Sequence, residues 1–135
     1  MAKGKRVTTK VESRIVADIM VAAGKISECR LFRNHRGVGW TGKLAQNKGK
    51  YTILVNARRC SFGLFPGASD MIGIFAGRFL AVEAKRPGEH LTESQSIFGA
   101  MVRALGGIFI VAHSADEFIS KLLKSELYDY GNTGQ

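Results

Sequence analysis

The sequence predicts a single α/β domain whose elements follow the order α-β-β-β-α-β-α. Apolar residues recur at helical spacing in three stretches, and short β-rich runs lie between them. Two of those runs are separated only by Ala76-Gly77, as in a β-hairpin. A chain of 135 residues with 45% hydrophobic residues is long enough for one core and too short for two.

The first half of the chain predicts a helix, two short strands and a long basic loop. Residues 1–7 are expected to form a loose basic arm. A helix follows from Thr9 and ends at Gly24, because apolar residues at helical spacing stop there and glycine ends helices well. The runs 29–32 and 51–55 are β-rich, and the glycine-containing basic loop lies between them.

The second half predicts a hairpin, two helices and a buried strand. These elements are strands at 70–75 and 78–83, a helix carrying Ile97, Phe98, Met101, Val102 and Leu105, a strand at 108–112, and a helix from Ser114. We expect residues 8–127 to form the domain and residues 128–135 to be a frayed tail.

The basic loop contains Gly37-x-x-x-x-Gly42-Lys43, which is close to a phosphate-binding P-loop. Leu44 stands where the P-loop has the Ser or Thr that holds magnesium, and the residues after it do not favour a helix. No nucleotide cofactor is therefore expected.

The charge of the chain predicts a polyanionic partner. Lys and Arg number 20 against 11 Asp and Glu, a net charge of +9, and most of the excess lies in the first half. Neutralising phosphates with such side chains releases condensed counterions, so nucleic acid is the expected partner. The alternative is a merely soluble basic protein.

Other sequence features narrow the class of protein. No apolar run reaches transmembrane length and no signal core follows the first residues, so we expect a cytoplasmic protein that does not bind membranes. The two cysteines form neither a disulfide framework nor a zinc site, and the three histidines are too scattered to form a metal pair.

The predicted hairpin brings two carboxylates together. With Ala76-Gly77 as a two-residue loop, Asp70 lies opposite Glu83, with Cβ atoms about 4.5–5.5 Å apart. Lys85 projects from the same face as Glu83, because side chains alternate along a strand.

Two opposed carboxylates repel unless a cation lies between them. Oxygen ligands suit Mg²⁺ or Mn²⁺, and the Ala84 carbonyl is a further candidate ligand. Such a site polarises a phosphodiester and activates water, with Lys85 orienting that water or offsetting developing charge. The alternative is a solvated surface ladder in which Glu83 pairs with Lys85.

These residues carry a resemblance to a known family. Gly67-Ala-Ser-Asp70 followed by Glu83-Ala84-Lys85 resembles the core motif of the PD-(D/E)XK nucleases. The segments Arg86-Pro-Gly, Thr92-Glu-Ser-Gln95 and Gly106-Gly107-Ile-Phe-Ile-Val resemble its VRR-NUC branch, in particular small stand-alone members of phage type. The similarity extends from about Glu12 to Phe118, and the chain departs from the family at Ser69, where the motif has proline.

The resemblance implies a restriction-endonuclease-like fold, with a central mixed β-sheet flanked by helices, and a set of site residues. Asp70, Glu83 and the Ala84 carbonyl would bind the metal, and Lys85 would act in catalysis. An acidic residue on the first helix, here Glu12, would complete the site, and Gln95 would line it. Thr9-x-x-Glu12 and Thr92-x-x-Gln95 also spell capping boxes, so a purely structural role for Glu12 and Gln95 stays open.

The resemblance also implies where DNA is held. The stretch Arg33-Asn34-His35-Arg36-Gly37 resembles a basic segment that grips the phosphate backbone. The expected nucleic-acid-binding residues are Arg33, Asn34, Arg36, Trp40, Lys43 and Arg86. Trp40 would either stack on an exposed base or serve as a partly buried anchor.

The sequence thus predicts a Mg²⁺- or Mn²⁺-dependent endonuclease that hydrolyses DNA. By family analogy its substrates are branched DNA or Holliday junctions, its state is a homodimer, and its location is the host cytoplasm if a phage encodes it. The alternative is a non-catalytic nucleic-acid-binding module that keeps the fold and the basic surface.

Overall fold

The computed structural model describes residues 3–132, with side chains for residues 11–125. Its elements are α1 (Lys3–Gly24), β1 (Cys29–Arg33), β2 (Gly37–Asn47), β3 (Thr52–Phe62), β4 (Met71–Phe75), β5 (Arg78–Ala84), α2 (Glu93–Ala104), β6 (Ile108–Ala112) and α3 (Ala115–Asn132). The chain divides into two compact units. The smaller is residues 35–65, and the larger is formed by the chain on either side of it.

The larger unit is a mixed sheet flanked by helices. Its strand order is β1-β4-β5-β6, with β5 and β6 parallel and the other neighbours antiparallel. Along the chain this unit reads α1-β1-β4-β5-α2-β6-α3. This unit alone has the order α-β-β-β-α-β-α, whereas the whole chain has two further strands, β2 and β3. The coarse prediction of a mixed sheet flanked by helices is confirmed.

Alternating side chains of β5 and β6 fill cores on both faces of the sheet. On one face Leu80, Val82 and Ala84 join a core that includes Ile19 of α1 and Phe118 of α3. On the other face Ala81 and Phe109 pack against Phe98 and Val102 of α2. Glu83 follows Ala81 by two residues on β5, so its side chain projects from the same face of the sheet, the face that α2 covers.

Helix α2 packs through a smaller face than the sequence predicts. Its buried residues are Phe98, Gly99 and Val102, whereas Ile97, Met101 and Leu105 are exposed. Gly99 explains this orientation, because a Cβ built there would lie 2.4 Å from the Phe109 ring. The close approach of helix and sheet at Gly99 turns the neighbouring apolar residues outward.

The β4–β5 hairpin has the predicted turn and register. Ala76 and Gly77 both have positive φ, 48° and 81°, as a type I′ turn requires. Phe75 pairs with Arg78, and the pairing continues without a shift to Met71 and Val82. The predicted register of the hairpin is therefore confirmed, and positions 70 and 83 follow directly after the last pair.

The smaller unit differs from its prediction. Where we expected a long basic loop, β2 pairs with an equally long β3 over eleven residues on each side. Two register shifts, between Thr41 and Lys43 and between Leu44 and Gln46, interrupt the pairing. They break the alternation of side chains, and this is why the sequence pattern did not indicate a strand.

The ends of the chain are also more regular than predicted. Helix α1 begins at Lys3 rather than near Thr9, so residues 3–7 of the expected arm are helical, and no proline or glycine after position 4 interrupts the helix before Gly24. Helix α3 continues to Asn132 through part of the expected frayed tail. Residues 1–2 and 133–135 lie outside the described part. Within residues 3–132, none of the helices combines the length and apolar character needed to span a bilayer.

The start of α3 is held by charged hydrogen bonds around Glu117. Lys121 donates from Nζ to Glu117 Oε1 at 2.8 Å, and the His113 amide donates to Oε2 at 2.9 Å. The Glu117 amide donates to Ser114 Oγ at 3.1 Å. Ser114 therefore caps the helix, and the Glu117 carboxylate binds the amide of the residue before the cap. The bond from Lys121 is the main cause that lowers the pKa of Glu117 to about 2.

We predict that Glu117→Gln lowers the free energy of unfolding by about 0.5–1 kcal/mol near pH 7, a value reduced for partial exposure. The folded-state pKa lies below the ordinary value of 4.5. The stabilisation is therefore present above that value and is lost as the pH falls toward about 2. Urea unfolding at pH 7, 5 and 3 measures the difference, which should shrink with falling pH. Asp116→Asn, which removes the other first-turn charge, should show a smaller change, and equal effects at all pH values would contradict the assignment.

Candidate active site

Asp70 and Glu83 lie together at the end of the β4–β5 hairpin. Asp70 Oδ2 accepts a hydrogen bond from the Ala84 amide at 2.9 Å, which ties the aspartate to the end of β5. Asp70 is close enough to Glu83 for its charge to raise the pKa of that carboxyl. The two carboxylates therefore lie near each other, as the hairpin register predicts.

The carboxylate of Glu83 is in an unfavourable place for a charge. Its residue is only 1% exposed. Burial, followed by the charge of Asp70, raises the pKa of Glu83 to about 9, although nearby Lys85 lowers it. A pKa of this height keeps Glu83 protonated near neutral pH, which removes the repulsion from Asp70. Glu83 Oε2 is buried and has no hydrogen-bond partner among the described residues.

Lys85 lies beside this pair and is buried as well. Its amide donates to the Ala112 carbonyl at 3.0 Å, which extends the pairing of β5 with β6 by one residue. The residue is 8% exposed and its ammonium is close enough to Glu83 to favour the ionised carboxylate. Such burial excludes the alternative of a solvated surface ladder for Glu83 and Lys85.

Gln95 forms the capping box and also contacts Glu83. Thr92 and Gln95 form a complete capping box, in which the Thr92 amide donates to Gln95 Oε1 at 2.9 Å. The other end of the same amide, Nε2, donates to Glu83 Oε1 at 3.0 Å. The helix cap thus fixes the orientation of Gln95, and Gln95 fixes Glu83.

Glu12 is a site neighbour rather than a capping residue. Helix α1 begins at Lys3, so Glu12 lies in its interior and Thr9 is not an N-cap. Partial burial and the charge of Asp70 raise the pKa of Glu12, whereas Lys85 lowers it. The capping explanation for Glu12 is therefore wrong, and its carboxylate lies within electrostatic range of Asp70 and Lys85.

Asn34 and Gly67 position Asp70, although the sequence did not assign this task to them. Asn34, expected to bind DNA, donates from side-chain Nδ2 to the Ser69 carbonyl at 3.1 Å. Its backbone N–H donates to the Asp70 carbonyl at 2.8 Å. Gly67 has φ +94°, and a Cβ there would lie 2.8 Å from Ser94 at the start of α2. Asn34 thus holds the segment before β4, and Gly67 lets it approach α2. The signal was present in the small residues Gly67-Ala68-Ser69.

The remaining residues predicted to bind DNA lie at the surface. Arg33 is exposed at the end of β1. Arg86 is half-buried and its guanidinium pairs with Glu89, three residues away. In the smaller unit Trp40 and Lys43 are exposed, and Arg36 donates to the Phe65 carbonyl at 3.2 Å. The exposure of Trp40, 63%, does not fit the alternative of a partly buried anchor.

The residues around Glu83 fit a hard divalent cation in their chemistry. Glu83 Oε2 is a buried oxygen without a donor, and Asp70 uses only Oδ2 on the Ala84 amide among the bonds described. A cation between the carboxylates would offset their repulsion, as protonation of Glu83 does without it. Within the described residues, no three His, Cys, Asp or Glu side chains are already arranged to hold a metal. The ligands of the cation would be the two carboxylates, the Ala84 carbonyl and water.

Comparisons with known proteins leave the family open. No protein-family model matches the chain, and no curated protein matches it at a significant level of similarity.

We predict that Asp70→Asn raises the free energy of unfolding in EDTA at pH 8 by about 1–2 kcal/mol. Asparagine keeps an oxygen for the Ala84 amide, removes the repulsion and offers a donor to Glu83. Thermal unfolding followed by circular dichroism, with EDTA or with Mn²⁺, measures this. Mn²⁺ should stabilise the wild type and not the variant, because a ligand that binds only the folded state raises its stability.

The control for Asp70→Asn is Asp18→Asn, which removes an exposed carboxylate from α1. This control should neither raise stability in EDTA nor alter the response to Mn²⁺. If Asp70→Asn is stabilised by Mn²⁺ as much as the wild type, Asp70 does not hold the ion.

We predict different outcomes when the two roles of Gln95 are separated. Gln95→Glu keeps an oxygen for the Thr92 amide but places a third carboxylate beside Glu83, so stability in EDTA should fall by about 1–2 kcal/mol and partly recover with Mn²⁺. Thr92→Ala removes only the cap, so it should cost about 1 kcal/mol and leave the Mn²⁺ response unchanged. Thermal unfolding again measures both. Identical responses of both variants to Mn²⁺ would leave Gln95 a capping residue alone.

Proposed function

We propose that the protein is a divalent-metal-dependent endonuclease that hydrolyses phosphodiester bonds in DNA at Asp70, Glu83 and Lys85. The observation that carries the proposal is a buried glutamate beside the half-buried Asp70 and a buried lysine, in a chain of net charge +9. Such a cluster is costly for stability alone, and strongly raised carboxyl pKa values are frequent at functional sites. The positive charge of the chain supports DNA as the substrate.

When bound, Mg²⁺ or Mn²⁺ would polarise the phosphodiester and lower the pKa of water. Asp70, Glu83 and the Ala84 carbonyl would hold it, with Glu12 as a further carboxylate in range. The chain's own groups have separate tasks. Gln95 keeps Glu83 Oε1 in place, which leaves Oε2 for the ion. Asn34 and the Ala84 amide hold Asp70 from its backbone and from its side chain.

Lys85 is the group that would act on the reacting phosphate. The residue is only 8% exposed, so water screens its charge less than at the surface and its field on a nearby phosphate is stronger. Lysine has three donors and can orient a water molecule or stabilise the negative charge that develops on the phosphate oxygens. Its fixed place at the end of β5 limits the reorganisation needed during the reaction.

The resemblance to the VRR-NUC branch of the PD-(D/E)XK nucleases supports the same function. The mixed sheet and the positions of Asp70, Glu83 and Lys85 around its central strand are compatible with that family. By analogy the substrate would be branched DNA or a Holliday junction, the enzyme would be a homodimer, and it would act in the cytoplasm. The rival proposal is a non-catalytic DNA-binding module, which would not explain why buried Glu83 lies beside Asp70.

We predict that the protein cuts plasmid or synthetic junction DNA with Mg²⁺ or Mn²⁺ and not with EDTA. Lys85→Ala and Glu83→Ala should reduce cleavage at least about a hundredfold, since removing one electrostatic stabiliser has an effect of that size. Gel shift in EDTA should show that Lys85→Ala still binds DNA. Forked, nicked, linear and four-way substrates compared side by side identify the preferred structure.

The matched controls are Lys25→Ala and Glu28→Ala, which remove exposed charges of the same types. They should cut as the wild type does. The rival proposal is correct if DNA is shifted but never cut and if Glu83→Ala changes nothing. Undiminished cleavage by Lys85→Ala would remove the role given to that lysine.

A further inference from the structure

The smaller unit is a two-stranded ribbon of β2 and β3, residues 35–65, and its charges are all of one sign. It contains six basic residues, which are Arg36, Lys43, Lys48, Lys50, Arg58 and Arg59, and no Asp or Glu lies between positions 35 and 65. It holds less than a quarter of the 135 residues but most of the net charge of +9. We call this unit the ribbon.

The pairing of the ribbon distributes these charges over both of its faces and its tip. Trp40 pairs with Arg59 and Thr41 pairs with Arg58, so the two arginines project to opposite faces. Lys48 and Lys50 lie in the turn between the strands, where the Lys48 amide donates to the Tyr51 carbonyl at 3.0 Å. A polyanion that enclosed the ribbon on several sides would therefore meet positive charge on each of them.

The ribbon also exposes apolar side chains, whose contact with water is unfavourable. Trp40 is 63% exposed, and the other exposed apolar residues on its strands are Val38, Leu44, Ile53, Val55 and Phe62. A free two-stranded ribbon buries little and is marginally stable in water. So many exposed apolar side chains on one small element favour the binding of a partner there.

The irregular pairing makes the ribbon twist. Two register shifts interrupt β2 and β3, and Asn56 next to the first of them adopts φ 54°. A bulge bends its strand and increases the right-handed twist locally. A strongly twisted ribbon follows a helical groove better than a flat one does.

We propose that the ribbon is a DNA-binding element that enters the major groove of duplex DNA. The major groove is about 12 Å wide and accepts a two-stranded β-ribbon, whereas the minor groove is about 6 Å wide. Phosphates border the groove on both sides and match the arginines on both faces, and thymine methyl groups at its floor match the apolar side chains. Beyond the predicted contacts of Arg36, Trp40 and Lys43, this assigns binding roles to Arg58, Arg59 and the lysines of the tip.

The charge of the ribbon favours duplex DNA over two other partners, a second copy of the ribbon and a single-stranded nucleic acid. A second copy of the ribbon would bring six further positive charges against six, with no acidic side chain to pair with them. A single strand would use the exposed Trp40 for stacking but would engage charge on one side only. The duplex offers phosphate to both faces at once.

The proposal rests on the proposed function only in taking the polyanion to be the DNA that the enzyme cuts. Binding of the ribbon does not need the metal or Glu83. It is therefore measured in EDTA, where cleavage does not occur, and with Glu83→Ala as a parallel sample. If the ribbon binds duplex DNA but the protein does not cut DNA, the proposed nuclease function is wrong. If the protein cuts DNA but the ribbon does not bind it, the proposal for the ribbon is wrong.

The test is fluorescence anisotropy of a labelled 30-base-pair duplex over a series of salt concentrations in EDTA. The double variant R58A/R59A should bind about tenfold more weakly, and the slope of log affinity against log salt should fall by about 2, because each phosphate contact contributes about 0.9. R58K/R59K keeps both charges and should retain the slope. R14A/K25A, which removes two exposed charges outside the ribbon, should change the slope by less than R58A/R59A does.

A second measurement reports on the ribbon itself. Trp40 is the only tryptophan of the chain, so intrinsic fluorescence comes from the ribbon. Adding duplex should protect Trp40 from acrylamide quenching, and methyl green, which occupies the major groove, should reverse this protection. Netropsin, which occupies the minor groove, should not.

Three results would overturn the proposal. The first is an R58A/R59A variant that is folded by circular dichroism and has the affinity and salt slope of the wild type. The second is tighter binding of the single strand than of the duplex, with Trp40→Ala causing the main loss. The third is a dimer in sedimentation that Trp40→Ala dissociates while duplex binding is unchanged, which would make the ribbon an interface between two copies.

Discussion

The repulsion between Asp70 and Glu83 is the constraint on which the site depends. A glutamate that is 1% exposed and faces another carboxylate is tolerated only if a proton or a cation lies between them. Most neighbouring contacts act to keep the pair together. The Ala84 amide and Asn34 hold the aspartate, and Gln95 holds the glutamate. The fold therefore supports an arrangement that lowers its own stability, as functional sites often do.

The capping box of α2 connects helix formation to the chemistry of the site. Gln95 is oriented because the Thr92 amide occupies its oxygen, and only then does its nitrogen point at Glu83. One side chain thus satisfies the end of a helix and an acidic residue on the central strand β5. A structural and a functional explanation of the same residue need not compete, since an amide side chain has two distinct ends.

Much of this arrangement is predictable from the sequence, because it depends on local rules. The two-residue turn at Ala76-Gly77 determines the register of β4 and β5, and the register determines that positions 70 and 83 oppose each other. The ribbon was not predictable in this way, because its bulges break the alternation that identifies strands. Asn34 was assigned to DNA from the resemblance of its segment, and its contact with the Ser69 carbonyl was not predictable because it joins residues distant in sequence. The exposure of Ile97 on α2 depends on the contact of Gly99 with Phe109, which periodicity does not reveal.

The central claim is that Asp70 and Glu83 share one divalent ion, and anomalous diffraction from crystals soaked in Mn²⁺ tests it most directly. The account predicts a single anomalous peak within about 2.3 Å of an oxygen of each carboxylate. The peak should be missing from crystals of Glu83→Gln soaked in the same way. Crystals saturated with Mn²⁺ that show no density between these two side chains, or show the ion bound elsewhere, would contradict the claim.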